Sequence, residues 1–479
     1  MTAVTRRIHA PGLETLFMAA IVLFGFRLGV RPIGDNSMLT HLRTGIDMVG
    51  GKGIPRVDPY SFTALDHQWV VQSWLPEWTY GWAHRLGGYR LVVLEQAVLM
   101  AVLAFLIVRL ARTGSPVRTA VAATIAVGIG ATYWSPRPLI FGLICMALLV
   151  TIVEKRLSFW WLVPLVWFWV QSHGSFPLGL VWLGARALGE GLDWKAWPRD
   201  TVRYVTAFLG GLVVAILNPL GARLLAFPFT LGEKRSVFSS IIEWQSPNFQ
   251  KAGGRYAVVF LVLALALLVR ARIPWRDVVP IIVFLAASLI AVRNVPVAAI
   301  VLAPCLGRIL KRPESSNSRS TDRPPDTPSQ LRLRRVVAAV LAVGFLLFGA
   351  SVAFAPDRDA LALGAYPKDA VTFLNERGLR TAPHRLAHQD YVGNYLTWRH
   401  GDKARDFIDD RYDMFPVGVS KDYLTLLGGK PGALGVLDRR KVDVVLWQRS
   451  KPLATILGQN EHWREIYDKD GWVIYEREP

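Results

Sequence analysis

About eleven apolar runs, separated by polar connections, occupy most of the chain up to residue 354, and they constrain its fold more than any motif does. They fall at residues 13–30, 91–109, 119–134, 138–153, 157–171, 176–189, 202–217, 256–270, 277–291, 295–310 and 335–354. A helix needs about 20 apolar residues to cross a hydrocarbon core of roughly 30 Å, and somewhat fewer where its ends are wet. With 52% hydrophobic residues, the chain is expected to be an α-helical polytopic membrane protein with about eleven transmembrane helices. Arg6 and Arg7 precede the first run and no small-residue cleavage pattern follows it, so it is expected to be a retained span.

The formal charge of +19 could suggest a nucleic-acid partner. From Pro356 onward, however, acids and bases balance, so the excess lies among the apolar runs. Basic residues recur on alternate connections: Arg109, Arg112 and Arg118; Lys155 and Arg156; Lys195 and Arg199; Arg270, Arg272 and Arg276. That alternation suits loops beside an anionic inner leaflet, excludes a nucleic-acid face and puts the N-terminus in the cytoplasm of a multi-pass plasma-membrane protein.

Residues 1–310 are expected to form the membrane domain, with a long first outer loop at 31–90. The Pro-, Ser- and Arg-rich stretch 311–335 cannot bury a core and is expected to be a flexible basic cytoplasmic linker. A last span at 336–355 then delivers residues 356–479 outside the cytoplasm. Cys145 and Cys305 lie within apolar runs and are expected to be core residues, with no role in a disulfide or metal site.

The C-terminal stretch is expected to be a small α/β domain. Pro367 to Arg377 predicts a helix, Arg405–Asp409 and Val442–Trp447 predict buried strands, and Lys451–Leu457 predicts a helix. Asp470-Gly471 predicts a hairpin turn between Trp463–Tyr467 and Trp472–Glu476. The charged cluster Asp409-Asp410-Arg411-Tyr412 reads as an internal salt bridge at a strand end, with acceptor recognition as the alternative. No zincin motif, Walker loop or nucleophile elbow is present, which argues against a nucleotide-driven pump.

The first outer loop is too long to be a mere connector. It holds Asp35, His41, Asp47, Asp58, His67 and Glu77 among Trp69, Trp74, Trp78 and Trp82, a mixture that suits amphipathic helices at a membrane surface. Its stretch Gly34-Asp35-Asn36-Ser37, His41-Leu42, Gly45, Pro55, Asp58-Pro59, Ser61-Phe62-Thr63, Trp69 and Trp74-Leu75 follows directly on the first apolar run. With the many-helix domain and the C-terminal domain, this arrangement resembles the GT-C class of integral-membrane glycosyltransferases, and most of all the bacterial members related to the dolichyl-phosphate-mannose mannosyltransferases. The family's paired acids after the first span are here Asp35-Asn36.

The resemblance implies transfer of a sugar from a polyprenyl-phosphate-linked donor to an envelope glycan, lipid or protein acceptor outside the membrane, with Asp35 as general base. A hydroxyl is a weak nucleophile and needs a carboxylate within hydrogen-bond reach to accept its proton. Asp58 is a second catalytic candidate. Binding candidates are His41, Arg137, His173, Glu243 and Arg293, since a departing lipid phosphate needs cations and the arginine fork pairs two phosphate oxygens. The bland alternatives are a helix cap for Asp35, a turn for Asp58, interfacial anchoring for the two arginines, a structural hydrogen bond for His173 and the polar face of a surface helix for Glu77. No cofactor is expected. A divalent cation stays open, although Asn36 in place of a second acid leaves one carboxylate where such sites draw on several. The competing functions are a transporter or flippase for a lipid-linked precursor, which would place ionisable residues at mid-membrane, and a scaffold that binds an envelope partner through its C-terminal domain.

Overall fold

The computed structural model describes residues 10–239, 241–270, 273–311 and 326–478. Arg6, Arg7, Arg272 and residues 312–325 of the expected linker lie outside them. Along the chain run α1 (Leu13–Gly29), α2 (Asn36–Asp47), α3 (Trp74–Leu110), α4 (Pro116–Ala131), α5 (Leu139–Glu154), α6 (Leu162–Ser172), α7 (Pro177–Trp194) and α8 (Arg199–Val214). They are followed by α9 (Arg223–Glu233), α10 (Arg235–Phe238), α11 (Ala252–Arg270), α12 (Trp275–Ile290), α13 (Val295–Leu310) and α14 (Pro328–Ala353). Helices α15 (Lys368–Glu376), α16 (Asp390–His400), α17 (Val417–Leu427), α18 (Ala433–Arg439) and α19 (Pro452–Gly458) then alternate with β1 (Leu386–His388), β2 (Val444–Gln448), β3 (Trp463–Lys469) and β4 (Trp472–Arg477).

Each expected span coincides with a helix, but helix length corrects the expectation of about eleven crossings. Among the described residues, three segments are both long and apolar enough to cross a membrane: Trp74–Leu110, Val292–Leu310 and Pro328–Ala353. Helices of 16 residues such as α4, α5 and α12 reach only about 24 Å at 1.5 Å per residue. The longer α7 carries Arg186, Glu190 and Asp193. Helix α14 is the plainest membrane candidate, because Val340, Leu346 and Leu347 are each more than 60% exposed on it. It begins at Pro328, where Thr327 and Gln330 form a capping box, so residues 328–335 are helix and not linker as expected.

The chain divides into two compact units that do not follow the expected boundaries. The first comprises residues 1–31, 90–215 and 242–360 and is entirely helical among its described residues. An ion network ties four of its helices together. Arg308 of α13 reaches Glu154 of α5 and Asp277 of α12, both at 2.5 Å, while Arg186 of α7 pairs with Glu154 and, at 2.9 Å, with Glu190.

The second unit comprises residues 32–89, 216–241 and 361–479, so the first outer loop folds with the C-terminal domain and not with the helical bundle. One joint is a parallel bridge between Ile33 and Leu361, where the Ala362 amide donates to the Ile33 carbonyl at 2.9 Å. The sheet order is β1-β2-β4-β3, with β1 and β2 parallel and the other neighbours antiparallel. Asp470 and Gly471 both take positive φ, 54° and 77°, and close the expected hairpin. Arg405–Asp409, expected as a strand, is instead a largely buried, irregular segment outside the sheet, with Arg405 at a positive φ of 46°. The position beside β2 is taken by β1, and Asp406 pairs its backbone with Tyr60 and Phe62.

Candidate functional site

In the second unit, α2 and the first half of α3 cross backbone to backbone. A Cβ on Gly45 would stand 1.9 Å from the Glu77 carbonyl oxygen, and one on Gly81 would stand 2.1 Å from that of Gly45, so only glycine permits the approach. One turn earlier on each helix sit His41 and Glu77, whose Nδ1 and Oε1 meet at 2.6 Å. Glu77 is 2% exposed and also accepts from Ser73 at 3.0 Å, which corrects its assignment to the polar face of a surface helix.

Asp35 caps α2 by accepting from the Ser37 amide at 3.0 Å. The Ser37 hydroxyl in turn donates to Asp410, so two carboxyls from opposite ends of the sequence converge on one serine. Asp410 is held there by α16: its amide donates at 3.1 Å to Asn394, which also accepts from Thr40 of α2 at 2.9 Å. The close approach requires Gly393, where a Cβ would lie 2.0 Å from the Ile408 carbonyl. Burial, then the neighbouring Asp409, pushes the Asp410 carboxyl up to about 7. Asp413 is also raised by burial, while Lys234, whose ammonium donates to the Asp413 and Phe415 carbonyls, opposes the shift.

Asp58 has a different task. It is fully buried, accepts from the Tyr60 and Ser61 amides at 3.2 and 3.1 Å and from the Ser61 hydroxyl at 2.5 Å, and pairs with Arg411 at 2.8 Å. Arg411 also pairs with Asp409 at 2.7 Å, and its guanidinium lies 4.5 Å from the Trp69 ring centroid and 5.0 Å from that of Tyr60. With both oxygens engaged inside the unit, Asp58 pins the first loop to the C-terminal domain, a structural task beside the catalytic one expected of it. Burial, then Asp409, raises the Asp406 carboxyl well above the usual carboxylate range.

The remaining candidates belong to the first unit. Arg137 pairs with Glu243, and the Arg293 guanidinium stacks on Trp244 at 4.3 Å from the ring centroid. The Val292 amide donates to the Gln245 carbonyl at 3.1 Å, joining the turn that carries Arg293 to the segment that carries Glu243. Two guanidiniums and one carboxylate thus cluster with a net positive charge, a composition that suits an anion. His173 is 7% exposed, and its Nδ1 accepts from the Ser175 amide at 3.2 Å beside Gly142 of α5. The structure thus brings Asp35, His41 and Asp410 into one unit's cluster, and Arg137, Glu243 and Arg293 into the other's.

Among the described residues, no three His, Cys, Asp or Glu side chains are arranged as metal ligands. The chain matches no protein-family model, and no curated protein sequence is similar enough to count as a relative.

Proposed function

We propose that the chain is a membrane glycosyltransferase of GT-C type, which moves a sugar from a polyprenyl-phosphate-linked donor to an extracytoplasmic envelope acceptor. The observation that carries this reading is the convergence of Asp35 and Asp410 on Ser37. Two carboxyls meeting on one serine, one of them pushed up to about 7, are the equipment for taking a proton from a hydroxyl. In the step itself Asp35 accepts the acceptor's proton, the acceptor oxygen attacks the anomeric carbon, and the bond from that carbon to the phosphate oxygen breaks. The leaving phosphate keeps the electron pair, and a cation must offset its charge. The N-terminus is cytoplasmic in this reading, the sheet-bearing unit is extracytoplasmic, and the shorter helices of the first unit join the three long ones in a multi-pass membrane domain.

A transporter is the second reading, and it draws on the ion network of Glu154, Arg186, Glu190, Asp277 and Arg308. Each arginine there clamps two acids, which favours a staple over a pathway. The two readings separate in one experiment with purified protein and a panel of radiolabelled polyprenyl-phosphate hexoses and pentoses. A glycosylated product from envelope extract is expected. Movement of labelled lipid across reconstituted vesicles with no covalent product would replace the enzyme reading with the transporter.

A further inference from the structure

The second unit carries a row of aromatic rings that the proposed chemistry does not use. Trp472 at the start of β4 stands 6.1 Å from Tyr391, Tyr391 stands 6.1 Å from Tyr366, and Tyr366 stacks on Tyr395 at 5.2 Å with 20° between the rings. Trp472 and Tyr395 are 8% and 3% exposed and form a floor, on which Tyr366 and Tyr391 are half-buried. Tyr391 and Tyr395 share one face of α16 because they are four residues apart. Tyr366 follows the segment that the Ile33–Leu361 bridge ties beside Gly34 and Asp35.

Two further observations say what such a row would hold. The Tyr366 phenol lies within electrostatic reach of both Asp410 and Asp35, so the row adjoins the carboxyl pair at Tyr366. Near one end, Gln448 is the cross-strand partner of Trp472 and accepts from Gln389 at 3.3 Å. Gln389 is 3% exposed, and its side-chain carbonyl oxygen has no hydrogen-bond partner among the described residues. A buried acceptor left unpaired is costly unless a ligand or water supplies the donor. A lipid tail would satisfy the rings and leave the amide and carboxyls unmatched. A sugar ring offers both an apolar C–H face and a rim of hydroxyls.

We propose that Tyr366 and Tyr391, backed by Tyr395 and Trp472, form a platform that binds the acceptor as a glycan, with a sugar hydroxyl delivered to Asp35 and Asp410. The platform rests on the glycosyltransferase reading for its purpose, but its existence is tested by binding alone. The probes are four soluble tetrasaccharides, of glucose in α and in β linkage, of mannose and of galactose, presented to the full-length protein in detergent and followed by saturation-transfer NMR. At least one should receive saturation on its ring C–H protons. Tyr366→Ala and Tyr391→Ala should each weaken that sugar's binding about tenfold, the loss of one stacking contact. Tyr366→Phe, which keeps the ring, should restore most of it, and Trp82→Ala, at an exposed ring outside the row, should leave it unchanged. Failure of the wild type to bind any of the four, or binding indifferent to both alanine variants, would overturn the platform and leave the transfer assay to stand by itself. Binding that depends on the rings, in a protein that makes no product with any donor, would keep the platform and sink the enzyme reading instead.

Discussion

Asp409 and Asp410 are neighbours in sequence but serve different partners. Asp409 turns inward to Arg411 and Asp410 turns to Ser37. The sequence showed the dense cluster, and the salt-bridge expectation holds for Asp409, but the cluster was treated as one object. Asp35 drew attention because it follows the first span directly, and Asp58 stood as the second candidate because a turn aspartate and a buried ion-pair aspartate have the same letters around them. Breaking its pair should cost stability: Arg411→Ala strands Asp58 and Asp409 in the interior, a loss of about 3–5 kcal/mol. Thermal unfolding in detergent should show a large drop in midpoint, and an unchanged midpoint would contradict the anchoring role.

Asp410 carries a pH prediction. The folded protein holds its proton up to about pH 7, while an unfolded chain releases an aspartate proton near pH 3.9. Between those values the native state binds the extra proton, so this group's contribution to stability falls as pH rises through the window. Asp410→Asn should therefore gain stability relative to wild type as pH rises from about 4 to 7. The same titration should place a limb near pH 7 in the wild-type transfer profile, and the variant should lack it. A limb that survives in Asp410→Asn would assign it to another group.

At the scale of elements, the positions of the apolar helices were legible from apolar runs, and the hairpin was legible from Asp470-Gly471, whereas helices such as α9, α16, α17 and α18 were not. Strand β1 was not, since three residues carry too little pattern, and Arg405–Asp409 looked like a strand because burial alone gives an apolar, extended signature. The ion network joining α5, α7, α12 and α13 was harder to read, because Glu154, Asp277 and Arg308 sit near helix ends, where charges usually meet water, and only Arg186 lies well inside a helix. Arg308→Ala would leave Glu154 and Asp277 facing each other without their shared cation. The expected result is destabilisation by about 3–5 kcal/mol, read as faster loss of folded protein in detergent. A variant as durable as wild type would show that the network does not hold the helices together.

For the whole molecule, hydropathy showed the succession of helices, but it could not show that residues 32–89 belong with residues 361–479. That grouping depends on pairings across more than 300 residues, such as Thr40 with Asn394 and Asp58 with Arg411. It also makes the functional proposal more specific, because the acid after the first helix and a carboxyl of the C-terminal domain then serve one site. The most direct test is single-turnover transfer from a saturating radiolabelled polyprenyl-phosphate sugar, run on wild type and Asp35→Asn with donor binding measured on the same samples. Loss of about 100-fold or more in the transfer rate, with donor binding unchanged, is the predicted result for removal of a general base. An Asp35→Asn protein that transfers sugar at the wild-type rate would contradict the central claim.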